Sequence, residues 1–178
     1  MKKLIFSFFV PFLLLTSSIY ANEKVSFFQD SVFELDGRVL KFLSGSVWLL
    51  DHEILALPFN NGIVVFEGHN PMVIEKDFNK KVKYLPKKGI LFYEGNEVGV
   101  TLVQGVFILN NGILTTVDKA LGNGAILQTR DGSMWSIPSY DQYDTGYWLP
   151  PYKVIIHSNE LYMTNLKKGK KIWVSKLK

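Results

Sequence analysis

The sequence predicts an all-β fold built from two related small units, barrel-like or curled sheets packed together. Three observations carry this. The apolar segments are short and rich in Val, Ile, Phe, Tyr and Trp, Gly or Asn turns separate them, and one turn-plus-aromatic phrase occurs twice. "LSGSVWLL" at 43–50 and "RDGSMWSI" at 130–137 share Gly, Ser and Trp. Setting Gly37 against Gly124 aligns Leu40 with Leu127, Gly45 with Gly132, Ser46 with Ser133 and Trp48 with Trp135 at one constant offset. Val39 against Ile126 and Leu50 against Ile137 are conservative matches in the same register. "GIVVFEG" at 62–68 resembles "KVIIHSN" at 153–159 in turn. A fixed-offset echo is the mark of a duplicated structural unit.

Residues 1–21 read as an export signal. Lys2 and Lys3 precede an apolar core, Leu4 to Leu15, and "TSSIYA" ends in Ala21, a small residue suited to signal-peptidase cleavage. That core is shorter than the roughly 20 residues a bilayer span needs. The expected location is periplasmic or secreted, with no transmembrane segment in the mature chain. The remainder divides into a first β unit with a hairpin extension, 22–117, and a second β unit, 118–178.

Within it, 24–35 admits a short helix as well as a strand, because Phe27, Phe28, Ser31 and Val32 would line one helical face. Strands are expected at 38–43, 46–50, 63–67, 90–94, 97–103, 106–109 and 112–117. Further strands are expected at 124–129, 133–137, 153–157, 160–166 and 171–177. No stretch of the mature chain shows a sustained helical period. "NNG" at 60–62 and 110–112, "EGNE" at 94–97, "RDGS" at 130–133 and "KKGKK" at 167–171 read as tight turns, where Gly and Asn tolerate positive φ.

Composition excludes several function classes. The formal charge is +4, and Lys2 and Lys3 of the leader supply part of it; a nucleic-acid binder would be far more basic. There is no cysteine, so no disulfide framework, thiolate metal site or cysteine nucleophile. His52, His69 and His157 lack the spacing of paired metal ligands. "DHE" at 51–53 puts Asp51 and Glu53 on one strand face, which suits a cation or simply a solvated strand end. No cofactor or metal is expected.

In G-S-x-W, Gly45 and Gly132 take the turn, Ser46 and Ser133 close it, and Trp48 and Trp135 anchor the core. A nucleophilic serine would need a G-x-S-x-G elbow and a nearby base, and neither is present. "PSYDQYDTGYWLPPY" at 138–152 is the unusual segment. It gathers Tyr140, Tyr143, Tyr147, Trp148 and Tyr152 around Asp141 and Asp144, and Pro138, Pro150 and Pro151 stiffen it as a loop. Aromatic faces beside carboxylates suit sugars, and exposed aromatic loops suit protein partners. The plainer reading is that Trp148 and two tyrosines cap the barrel while the acids face water. The lysine-rich ending, 166–178, suits an anionic surface or a charged, aggregation-resistant edge.

The second half also resembles a recurring group of small exported bacterial all-β proteins of unknown function. The resemblance rests on "DGSMW" at 131–135, "YW" at 147–148, "KVIIH" at 153–157 and "LYMTNLKKGKKIWVSKL" at 161–177. Gly132, Ser133, Trp135, Trp148, Val154, Ile156, Asn165, Gly169 and Trp173 fit its pattern; the "PP" at 150–151 departs from it. The resemblance implies an all-β envelope module and brings no known activity.

The function expected is a non-catalytic binding or structural module of the cell envelope, engaging a protein or glycan through Tyr140, Asp141, Tyr143, Asp144, Tyr147, Trp148 and Tyr152. Alternatives are an envelope hydrolase using Asp141, Asp144 or Glu97, and an enzyme inhibitor presenting a stiff loop.

Overall fold

The computed structural model describes residues 22–66, 88–105, 107 and 109–178. Residues 1–21, read from sequence as an export signal, His69 and positions 106 and 108 of the strand expected at 106–109 lie outside the described residues. The elements are β1 (Glu23–Asp36), β2 (Val39–Phe42), β3 (Val47–Leu50), β4 (Asn61–Phe66), β5 (Lys88–Tyr93), β6 (Asn96–Gln104) and β7 (Asn110–Leu121). After these come β8 (Ile126–Thr129), β9 (Met134–Ser136), α1 (Ser139–Gly146), β10 (Tyr152–His157), β11 (Tyr162–Asn165), β12 (Lys170–Trp173) and β13 (Ser175–Lys176). The fold is all-β, with one short helix among the described residues.

The first six strands close on themselves in the order β1-β2-β3-β6-β5-β4 and back to β1, an antiparallel barrel. β7 starts a second circuit with the same order of partners. It pairs with β8 and β10, β8 pairs with β9, β9 with β13, β10 with β11 and β11 with β12; only Val174 separates β12 from β13. The registers agree as well. β1 meets β2 at Val32–Phe42, slips at a bulge and resumes at Glu34–Lys41; β7 meets β8 at Val117–Thr129, slips and resumes at Lys119–Gln128. Trp48 pairs with Leu102 and Leu49 with Thr101, as Trp135 pairs with Lys176 and Ser136 with Ser175.

β1 and β7 join the two circuits. Ser26 pairs with Asn111, flanked by Val25–Gly112 and Phe27–Asn110. Counting back from the bulges, Ser26 and Asn111 hold the same place in their strands. Their pair therefore lies on an approximate twofold axis, and Ser26 Oγ donates to Asn111 Oδ1 across it at 3.0 Å.

Three apolar clusters follow from this arrangement. One fills the first barrel around Phe28, Phe42, Trp48, Phe66 and Tyr93. A second fills the other circuit around Leu127, Trp135, Trp148, Val154 and Met163. The third, with Val25, Phe27, Ile63, Val65, Phe92 and Ile155, lies on the outer face of the joined strands. β1 is buried on both faces over Val25–Phe28 for this reason.

Several expectations change. The helix weighed for 24–35 is strand: Phe27 and Phe28 do not share a face but enter different clusters, as alternation in a strand requires. The "NNG" phrases are not hairpin turns, since 61–62 opens β4 and 110–112 opens β7. Their glycines serve close approach instead. A Cβ on Gly62 would meet the Phe42 ring at 2.8 Å, and one on Gly112 would meet Ile155 Cγ2 at 2.5 Å. The turns at Glu94-Gly95, Gly132 and Gly169 do carry positive φ.

The match of 62–68 with 153–159 is one residue out. Ile63 pairs with Gln29 and Ile155 with Leu114, so Ile63 corresponds to Ile155, and both face the outer layer. A one-residue slip would exchange the faces. The boundary drawn at 117/118 falls inside β7, which belongs to both the junction and the second circuit.

The two G-S-x-W phrases occupy equivalent turns, with φ of 84° at Gly45 and 86° at Gly132, and both tryptophans are buried. Their serines differ. Ser46 is fully buried, and its Oγ accepts from Trp48 Nε1 at 3.0 Å. Ser133 Oγ donates instead to Asp131 Oδ2 at 2.9 Å, and buried Trp135 Nε1 has no partner among the described residues. The acid present only in the second phrase has drawn the hydroxyl outward. Ser46→Ala is therefore expected to cost about 1–3 kcal/mol by stranding a buried donor, and Ser133→Ala less than about 1 kcal/mol. Urea unfolding of both variants checks this; equal costs would contradict it.

Candidate functional site

The 138–152 segment is not a loop throughout. Pro138 has no N–H with which to extend the β9 ladder, and its φ of −57° and ψ of 148° lead straight into α1. A helix of eight residues is too short to hold by propensity, for which about 12–15 are needed. Bonds to the sheet hold it. Asp141 Oδ2 accepts from the Trp173 backbone N–H at 3.1 Å, and Asp144 pairs with Lys170 at 2.6 Å. Thr145, fully buried, donates to the Gly124 carbonyl at 2.8 Å. A Cβ on Gly124 would come within 2.4 Å of the Gly146 nitrogen, so only glycine lets α1 approach this closely. The helix thus covers β12 where that strand has no second partner among the described strands, a common protection for a sheet edge.

This anchoring sorts the residues singled out by sequence. Tyr140, Tyr143 and Tyr147 are 67%, 75% and 68% exposed; Tyr140 and Tyr143 are three apart on α1, and Tyr147 is its C-cap. Tyr143 and Tyr147 meet edge to face at 5.2 Å. Asp141 and Asp144 are committed to β12 and do not form a paired-carboxylate centre. Trp148 and Tyr152 are buried, packed edge to face at 5.6 Å in the second core. Trp148 is thereby a capping residue and not part of a binding surface. Burial also pushes the Tyr152 phenol above its ordinary pKa, and its hydroxyl has no partner among the described residues.

A groove of about 530 Å³ begins where this segment ends, at Pro151 and Tyr152. Val65, Ile90, Phe92, Leu114 and Leu166 give it an apolar wall. Over it, Lys153 Nζ donates to both oxygens of Glu97 at 2.9 Å and lies 5.4 Å from the Phe92 ring centre. Glu97, considered as a hydrolytic carboxylate, is occupied by this ion pair. Sequence reading missed the groove because its walls come from distant strands. The available signal was that β4 and β5 carry apolar residues on both faces, a sign of burial on two sides.

Asp131 and His157 also titrate away from their ordinary pKa values. Burial opposes ionisation of Asp131, but hydrogen bonds from Thr129, Asn22 and Ser133 prevail and hold its pKa at about 2. Burial pushes the His157 pKa down to about 4, and the nearby Lys171 charge adds to this. The His157 ring hydrogen-bonds Thr164 Oγ1 at 2.8 Å and stands edge-on to Phe27 at 4.9 Å. Asp51, His52 and Glu53 are exposed just beyond β3. Among the described residues, no three His, Asp or Glu side chains gather as a metal site, and no helix is long and apolar enough to cross a membrane.

Comparison with family models, with curated proteins and with solved structures gives no match.

The His157 shift has a definite sign. The unfolded chain binds a proton near pH 6.5 and the folded one only near pH 4, so stability present above pH 6.5 is lost as the pH falls to 4. Allowing for partial solvent screening, His157 should account for about 1–2 kcal/mol of that loss. Unfolding free energies of parent and His157→Gln between pH 7 and 4 measure it; parallel pH profiles would contradict the assignment.

Proposed function

We propose that this chain is an exported cell-envelope protein, formed by duplication of one small barrel unit, that binds a protein or glycan without catalysing a reaction. The observation that carries the binding role is the tyrosine face of α1. Tyr140 and Tyr143 on α1 and Tyr147 just past its end are exposed, while Asp141 and Asp144 tie the helix to β12 and Thr145 ties it to the turn before β8. A rigid aromatic surface loses little side-chain freedom when a partner covers it, and tyrosine brings both apolar area and a hydroxyl. The hydrolase alternative loses its basis, because each carboxylate considered for it already has a structural partner.

Duplication is supported by the agreement of strand order and register on either side of β7, together with the in-register sequence match. Export rests on the leader sequence Met1–Ala21. β1 begins at Glu23, so cleavage after Ala21 would leave every described strand whole.

The purified protein should co-sediment with an envelope fraction. The Tyr143→Ser/Tyr147→Ser double variant should bind at least about tenfold more weakly, a loss of about 1.4 kcal/mol, with an unchanged melting temperature. Equal sedimentation of parent and variant would contradict a binding role for this face.

A further inference from the structure

The groove has a counterpart across the twofold axis, and the two sides differ in one instructive way. Strand registers define the correspondence. Val65 pairs with Phe27 and Ile90, and His157 pairs with Gly112, the counterpart of Phe27 in β7. Val65 thus corresponds to His157, and carrying the register into the next strand sets Ile90 against Tyr162. On the other wall, Leu114 corresponds to Gln29, and Lys153 to Asn61.

On the counterpart side two of these positions carry rings in place of aliphatic chains. His157 packs on Phe27 at 4.9 Å and on Tyr162 at 5.7 Å, and Gln29 Nε2 donates to the Gly169 carbonyl at 3.2 Å. Gly169, at the tip of the β11–β12 turn, is pressed against Asn61: a Cβ there would lie 2.7 Å from the Asn61 carbonyl oxygen. On the groove side Val65, Ile90 and Leu114 are aliphatic, and Phe92 stands where the counterpart has Thr164. The equivalent turn is only Glu94-Gly95, and a Cβ on Gly95 would meet nothing within 4 Å. The groove is the same place in the fold with Val65 and Ile90 in place of the His157 and Tyr162 rings and its closing turn drawn back.

We propose that this groove receives an aromatic side chain of a partner polypeptide. The ring would lie against Val65, Ile90 and Leu114, where the counterpart holds its own imidazole and phenol rings. Phe92 offers an aromatic edge, and the Lys153–Glu97 pair offers a donor and acceptors at the rim for the backbone beside the ring. A volume of about 530 Å³ exceeds one ring and accommodates its flanking residues, within the roughly 300–1,000 Å³ range of ligand pockets. Aromatic anchors seated in preformed pockets are the usual centres of protein–protein affinity. This site is separate from the tyrosine face of α1 and does not depend on it.

Methyl-resolved NMR titration of the purified protein with N-acetyltyrosinamide and N-acetylleucinamide tests the proposal. The tyrosine probe should shift the methyl signals of Val65, Ile90 and Leu114, and the leucine probe should bind at least about tenfold more weakly. Ile90→Tyr, which supplies the counterpart's own ring, should abolish the shifts at Val65 and Leu114. Leu114→Gln, a second counterpart residue, should weaken them. Tyr143→Ser should leave them unchanged, which separates failure here from failure of the tyrosine face. Absence of groove shifts, equal response to both probes, or undiminished binding in both groove variants would overturn the proposal.

Discussion

The antiparallel pairing of β1 with β7 is the interaction on which the rest of the structure depends. Each strand has a barrel partner along one edge and gives the first part of its other edge to the junction. Beyond the junction the same edge turns to β2 or to β8, with the bulges at 32/34 and 117/119 marking where pairing resumes. One continuous ladder therefore runs through both circuits and leaves no free edge between them. It also explains why β1 is apolar on both faces. Phe28 serves the first barrel, whereas Phe27 serves the outer cluster that the junction encloses.

Within that near-symmetric frame, the informative features are the departures from symmetry. Asp131 takes the Ser133 hydroxyl that, on the other side, Ser46 gives to Trp48 as acceptor. Pro138 stops β9 where Asp51 continues past β3 to donate to the Gly99 carbonyl. The chain then forms α1, which turns three tyrosines outward. A shorter turn and aliphatic Val65 and Ile90 leave the groove open, where its counterpart has His157, Tyr162 and the closely packed Gly169. In each case one or two residues change what a conserved backbone register presents. Both surfaces proposed for binding arise from such changes.

Much of this architecture is legible in the sequence, because alternation and turn chemistry act locally. The segments around Trp48 and Trp135 show their strands, their positive-φ glycines and their equivalence directly. The NNG phrases mislead because glycine answers two different demands, positive φ and absence of a Cβ. Composition cannot distinguish these, whereas the proximity of Phe42 to Gly62 does. The helix at 139–146 is hidden for a related reason. It is too short to show a period, and the bonds that stabilise it come from Trp173, Lys170 and Gly124. Of the aromatic segment, tyrosine exposure and tryptophan burial were set by which side of α1 met β12, and no local rule specifies that. The groove needs Val65, Ile90 and Leu114 to converge from strands far apart in the chain.

If the β1–β7 ladder joins both circuits into one cooperative structure, tryptophans buried in each should lose their environments together. Protein labelled with 5-fluorotryptophan reports this by fluorine NMR during urea unfolding, with Trp48 marking the first core and Trp135 the second. The two signals should share one midpoint. Gly112→Val, which forces a side chain into Ile155 at the junction, should lower both midpoints by the same amount. Separate midpoints in the parent, or a Gly112→Val effect confined to Trp135, would contradict the account.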